Sequence, residues 1–245
     1  TTEILFLASV RNGRITMDLL SNKNILVIGA HSDDEVLGVG GSILNAKNLG
    51  SKVDVLIVTD SSSVQYKDKA EKKNIRDKSL DNCCNILGVD NVYQWSFPDM
   101  RLDTMSHVDI NIKIEEFLTQ GQYDTIFVHH RNDINMDHRV LFDSVMVAAR
   151  PTPSQSVKSI YCYYTPSSSE WGAFDNNSIF SPNLFIDIEK NLSKKIEALS
   201  MYKDEVRPYP HPRSIENIVN TAKYFGSQVG LYAAEPFQII RSVQN

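Results

Sequence analysis

The run NILVIGA (residues 24–30), continuing into HSDDEVLGVGGSILNAKNLG (31–50), decides how the rest of the chain is read. Its first part is short, apolar and β-branched, which is the composition of a buried parallel strand. GVGGSILNAKNLG (38–50) then reads as a helix closed by Gly50. The alternation repeats downstream. KVDVLIVTD (52–60) reads as a strand, KAEKKNIRDKSLDNCCNILG (69–88) as a helix ending at Gly88, and NVYQWSF (91–97) as a strand. A helix over about 106–119 leads to the strand YDTIFVHH (123–130). DHRVLFDSVMVAAR (137–150) reads as a helix with Asp137 as its N-cap and Pro151 as its stop. Strands alternating with helices imply parallel strands joined by right-handed crossovers. Beyond Pro151 the pattern loosens into strands at SIYCYYT (159–165) and NLFIDI (183–188) and helices near 190–206 and 214–226. Between those strands, TPSSSEWGAFDNNSIFSP (165–182) is a polar, turn-rich loop long enough to serve a site. The expectation is a single α/β domain over 1–245, with a mostly parallel sheet flanked by helices.

At 245 residues, with 42% hydrophobic and 22% charged residues, the chain can bury a sizeable core. A net charge of -5 argues against nucleic acid as the main partner, because phosphate binding calls for a basic excess. No apolar run approaches the ~20 residues of a transmembrane segment. The opening TTEILFLASVRNGRITMDLL (1–20) has an apolar patch without a preceding basic region, so a short strand is expected there rather than a signal peptide. Cys83, Cys84 and Cys162, the first two adjacent, suit a reducing compartment, and a cytoplasmic location is expected.

His31, Asp33, Asp34 and Glu35 fall at the carboxyl end of the first strand, where open α/β sheets gather ligands. Three acids in five positions repel one another. A cation would offset that repulsion, and an imidazole with a carboxylate three residues later suits a divalent ion such as zinc. The plainer alternative has His31 capping the strand and the acids capping the next helix. A second cluster, VHHRNDINMDHRV (128–140), follows the strand expected at the centre of the sheet and holds His129, His130, Asp133, Asp137 and His138. A catalytic zinc usually takes three protein ligands and keeps one position open. Two clusters at two strand ends read as metal-assisted hydrolysis, with Asp33 available as general base.

The residues of both clusters are familiar. AHSDDE (30–35) resembles the AHPDDE signature of the PIG-L/LmbE-like family of metal-dependent N-deacetylases, and NMDHR (135–139) resembles its HPDHR motif. ILGVDNVYQWSFPDMRL (86–102) is similar to the family's LGV, strand and Pro-Asp segment. SIENIVNTAKYFGSQVGLYAAEPFQIIRSV (214–243) resembles the close of the sugar-acting branch. The resemblance implies a Rossmann-like fold with a core at about 24–150 and a substrate-side part at about 151–245. It makes His31, Asp34 and His138 the ligands of Zn2+, with Fe2+ or another divalent metal as alternatives. Asp33 becomes the general base, Asp137 orients a neighbouring histidine, and Arg76 and Asp99 fall near substrate. Members hydrolyse an acetamido group on a sugar, often N-acetylglucosamine linked to a lipid, inositol, malate or a natural product. The expected partner is therefore a small N-acetyl sugar or glycoconjugate, and relatives often associate as homo-oligomers.

Two departures stand out. Ser32 replaces a proline, which loosens the loop without removing a ligand. Asn135 stands where the motif has its first histidine. Either Asn135 donates a hydrogen bond to the oxyanion, or His129 or His130 reaches in from the strand end, with Asp133 fixing the tautomer. Competing readings are a metal-dependent hydrolase of another amide or ester, and a catalytically silent carbohydrate-binding relative. Asp33 argues against the second, since a binding module has no use for a base beside a metal.

Other features have plainer expectations. GVGGS (38–42) reads as tight helix packing rather than a dinucleotide loop, and Cys83 and Cys84 as buried thiols. RPYPHPRS (207–214), with His211, is a helix connection or the substrate mouth. Trp171 anchors its loop or stacks on a sugar. Tyr161, Tyr163 and Tyr164 are expected at a sheet edge, and Lys69, Lys72 and Lys73 on a solvated helix face.

Overall fold

The computed structural model describes residues 10–11, 14–15, 18–61, 69–172 and 179–243. The apolar opening 1–9, part of the long polar loop (173–178) and the side chains of Lys69 and Lys72 lie outside the described residues. Near the start, β1 (Val10–Arg11) and β2 (Arg14–Ile15) pair as a small antiparallel sheet. The main alternation then runs β3 (Asn24–Gly29), α1 (Asp34–Asn48), β4 (Lys52–Thr59), α2 (Lys69–Leu87) and β5 (Asn91–Phe97). It continues through α3 (His107–Gly121), β6 (Thr125–His129), α4 (Met136–Ala148) and β7 (Ser159–Tyr163). The last elements are β8 (Leu184–Asp187), α5 (Leu192–Leu199), α6 (Ile215–Ser227) and β9 (Ala234–Ser242).

The seven-stranded sheet has the order β5-β4-β3-β6-β7-β9-β8, parallel from β5 to β7 and antiparallel where β9 and β8 join. This is the mostly parallel α/β fold expected, with β6 at its centre. Alternate residues of β3 feed two cores. Ile25 and Val27 pack under α1, α2 and α5, and Leu26 and Ile28 under α3 and α4. Among the described residues no helix is long and apolar enough to cross a membrane.

Several local expectations change. The first helix begins at Asp34 rather than 38, so the acids lie in its first turn, where its unpaired N–H groups favour negative charge. Asn135, not Asp137, caps α4: its side chain accepts the Asp137 N–H, while Asp137 itself turns inward. The helix expected near 190–206 narrows to Leu192–Leu199, after which turns carry the chain inward to the buried Tyr202. β9 was not anticipated as a strand, and it overturns the sheet-edge position of the tyrosines. It inserts between β7 and β8, leaving Tyr161 and Tyr163 buried at the foot of α1. Tyr164 packs on Phe180 and Phe225 instead.

The glycines of α1 serve packing, as expected. A Cβ on Gly38 would lie 2.2 Å from the Tyr163 ring, and one on Gly41 2.5 Å from Ile188. The helix approaches β7 that closely because it has no side chain there. A buried ion pair locks the same face: Glu235 of β9 accepts from Gly41 N, Ser42 N and Ser42 Oγ, and Lys195 of α5 reaches it at 2.6 Å. Gly38→Ala should destabilise the fold by about 1–3 kcal/mol in urea unfolding, the usual cost of overpacking. Unchanged stability would mean that the Tyr163 ring gives way freely.

Candidate active site

After β3 the chain turns through His31, Ser32 and Asp33 into α1. Asp33 adopts φ 123°, a conformation rare outside glycine, and its N–H donates to Glu35 Oε2 at 3.0 Å. Asp34 Oδ2 accepts the His31 N–H at 2.8 Å, folding its carboxylate back over the strand end. His138, from the first turn of α4, completes a cluster: its Nε2 lies 3.4 Å from His31 Nδ1 and 3.6 Å from Asp34 Oδ1. Donor atoms of His31, Asp34 and His138 all fall within 4.8 Å of one another. Asp34 Oδ1 is buried and accepts no hydrogen bond from the described residues. Two imidazole nitrogens and an under-satisfied carboxylate oxygen are a donor set that zinc or ferrous iron accepts.

Each ligand candidate is held from behind. His31 Nε2 faces Asp99 Oδ1 at 3.1 Å and Asp137 Oδ2 at 3.2 Å, which keeps that nitrogen protonated and leaves Nδ1 towards Asp34. Asp137 is fixed in turn by the N–H groups of Met100 (2.8 Å) and Leu102 (3.0 Å). His138 Nδ1 lies 3.2 Å from Asp133 Oδ1. Asp133 also accepts from Asn135 N, Ser169 Oγ and Ser168 Oγ. Burial alone would raise the Asp133 pKa, but His138, the Ser168 hydroxyl and the nearby His129 hold it at about 2. Asp133, expected to touch substrate or fix a histidine, is therefore placed against His138 and away from the cleft.

The two strand-end histidines diverge. His129 is buried, and its Nε2 accepts the Ala30 N–H at 3.0 Å, so the ring proton lies on Nδ1, 3.4 Å from Thr165 Oγ1. It stacks on His138 at 3.6 Å, and burial together with that neighbour lowers its pKa to about 4. His129 is thus a neutral backing for the cluster. His130, the first residue past β6, packs edge-on against Phe180 instead. Neither lines the cleft, so the expectation that one of them reaches the reacting group gives way to Asn135, which does line it. Because Asn135 Oδ1 accepts the Asp137 N–H, its amide NH2 is the end turned to the cleft, where it donates to Met100 Sδ at 3.8 Å.

The cleft, of about 320 Å3, opens over His31, Asp33, Asp99 and Asn135, with Arg76 on one wall. Its far wall is Glu205, Arg207, His211 and Arg213. RPYPHPRS is therefore a mouth segment, and Trp171 meets it through an edge contact with His211. Arg76 donates to Ser32 O and to Glu205. Arg213 was not singled out by its sequence. Its Nη1 lies 2.7 Å from Asp33 Oδ2 and 2.8 Å from Glu205 Oε2. Burial raises the Asp33 pKa to about 8 even though Arg213 opposes the rise.

Loss of the carboxylate behind His138 should be visible without any substrate. Asp133→Ala is expected to weaken zinc binding about 10- to 100-fold in calorimetric titration, the usual cost of removing a group that orients a ligand. His138→Ala should abolish stoichiometric binding. Parental affinity in both variants would remove the cluster as a cation site.

Residues 26–149, which include both clusters, match the family model described as GlcNAc-PI de-N-acetylase (PIG-L). Over 192 residues the chain is 28% identical to the uncharacterized deacetylase YaiS of Escherichia coli K12, covering 74% of this chain and 91% of that protein. N,N'-diacetylchitobiose deacetylase from Pyrococcus horikoshii shares the fold with TM-score 0.73 and 22% identity, over 92% of this chain and 90% of that one. So does GalB, a 4-carboxy-2-hydroxymuconate hydratase from Pseudomonas putida KT2440, with TM-score 0.70 and 19% identity over 91% and 99% of the two chains. A deacetylase and a hydratase on one fold mean that fold alone does not name a reaction. The family match covers half of the chain and both strand-end clusters, and the chain belongs to the GlcNAc-PI de-N-acetylase (PIG-L) family of deacetylases.

Proposed function

We propose that this protein is a metal-dependent hydrolase that removes an N-acetyl group from an amino sugar or sugar conjugate. In this reading one domain, 1–245, divides the work: the core at about 24–150 holds the cation and the part at about 151–245 walls the substrate. The observation that carries it is the Asp33 carboxylate, facing the cleft directly beside the His31, Asp34 and His138 donors. A divalent cation on those three residues, zinc or ferrous iron, would supply Lewis acidity for an amide carbonyl and for water. Asp33 takes a proton from the attacking water as its oxygen bonds to the acetyl carbon. The Asn135 amide donates a hydrogen bond to the oxyanion that forms. As the C–N bond breaks, the proton held by Asp33 passes to the leaving nitrogen, so amide and water depart as acetate and free amine. Asp99 and Arg76, both on the cleft wall, are the groups offered to sugar hydroxyls. The three cysteines are buried and unpaired, which supports a reducing compartment such as the cytoplasm.

The test is free-amine release from a panel of N-acetylated sugars, including nucleotide- and lipid-linked forms, with metal-free protein and again with zinc or ferrous iron restored. Metal-dependent amine is expected on at least one member. Asp33→Ala should keep its cation and lose most activity, and Asn135→Ala should lower kcat roughly 100-fold, as loss of one oxyanion donor does. Stoichiometric cation binding with no amine from any sugar would reject the substrate class. Normal turnover by Asp33→Ala would reject the base.

A further inference from the structure

Asp33 is gripped from two sides, directly by one residue of a distant segment and through its neighbour Glu35 by another. Its N–H rests on Glu35 Oε2, and Glu35 Oε1 in turn accepts the Tyr202 hydroxyl at 2.6 Å. Its carboxylate meets Arg213. Tyr202, Glu205 and Arg213 all belong to the turn-rich stretch between α5 and α6.

We infer that Arg213, aligned by Ser167 and Glu205, is the positioning residue for the Asp33 carboxylate. The inference rests on the proposed hydrolase reading, in which Asp33 is the base. The guanidinium is itself immobilised. Nε donates to Ser167 Oγ at 2.8 Å, and Nη1 is shared between Asp33 Oδ2 and Glu205 Oε2. Glu205 also takes Arg76, so one carboxylate ties two arginines across the cleft wall. A planar fork held at Nε cannot swing, and the oxygen it contacts is held with it. Asp33 Oδ1 is left to face the reacting water. Lysine would keep the charge but not the Ser167 anchor. The Arg213 side chain is 21% exposed and borders the cleft, so a small cation can enter the space it vacates.

The experiment combines spectroscopy with turnover on full-length, zinc-loaded protein. The carboxyl carbon resonance of Asp33, in protein carrying isotope-labelled aspartate, is assigned by its loss in Asp33→Asn. Arg213→Ala should shift that resonance while zinc affinity stays near parental, and should lower thermal stability because Asp33 and Glu205 lose their shared cation. On a sugar that the parent deacetylates, kcat should fall about 10- to 100-fold with KM nearly unchanged. Added guanidinium should return the resonance and part of the lost kcat, and Arg213→Lys should fall between parent and Arg213→Ala. An unshifted resonance in Arg213→Ala overturns the inference, as does a loss carried entirely by KM. If the parent releases no amine from any N-acetyl sugar, the hydrolase reading fails on its own account, and the resonance still decides whether Arg213 holds Asp33. Should Arg213→Ala not fold, the resonance and kcat of Arg213→Lys decide: parental values overturn the inference.

Discussion

Burying carboxylates is the constraint on which this structure turns. Asp33, Asp34, Glu35, Asp99, Asp133 and Asp137 are all buried at the carboxyl ends of the parallel strands. A buried anion costs several kcal/mol unless donors or opposite charge replace its water. The surrounding architecture supplies those replacements one acid at a time. Asp137 has two backbone N–H groups and His31, Asp133 has His138 with two hydroxyls, and Glu35 has Tyr202. Asp33 has Arg213. Asp34 differs: among the described residues one of its oxygens is buried without a hydrogen bond, at the point where two imidazole nitrogens also converge. The compensation is incomplete at the position where a cation is proposed.

The histidines divide by what lies behind them. His31 and His138 each have a carboxylate on the nitrogen remote from the cluster, which orients the ring and raises its basicity as a ligand. His129 instead turns its Nε2 towards the cluster, 3.2 Å from Asp34 Oδ2, and burial with His138 beside it keeps the ring neutral. His130, just past the end of β6, packs against Phe180 and does not join the cluster. Three imidazoles within ten residues thus hold three different positions, and none can replace another without rebuilding its neighbours.

The antiparallel end of the sheet does more than complete it. β9 covers β7 and brings Glu235 under α1, which fixes the helix that carries Asp34 and Glu35 in its first turn. The segment between α5 and α6 then returns over the strand ends and forms the far wall of the cleft. A cleft edge built by local loops is in this way closed by chain that lies far away in sequence.

How much of this was legible follows from how far each interaction reaches. The parallel core could be read because a strand buried on both faces is an unbroken apolar run, and Ile25–Ile28 and Val55–Val58 are such runs. His31 and Asp34 could be read as a donor pair because they lie three residues apart at one strand end, whereas His138 was singled out among the candidates of 128–140 only by the resemblance of NMDHR to a family motif. Local backbone preferences already misled at the boundaries, where Asn135 rather than Asp137 caps α4. Beyond that the sequence was silent. β9 carries Pro236 and pairs with strands far from it in the chain, so no local period marks it. Arg213 and Asp33 are 180 residues apart. With 25 basic and 30 acidic side chains, composition does not say which arginine meets which acid. By itself the sequence determined the layered sheet and the residues gathered at its central strand ends, because periodicity and burial are encoded locally. Which way each histidine faces, and what clamps Asp33, only the tertiary structure decided, because charge pairing has no sequence period and acts wherever folding brings two groups together.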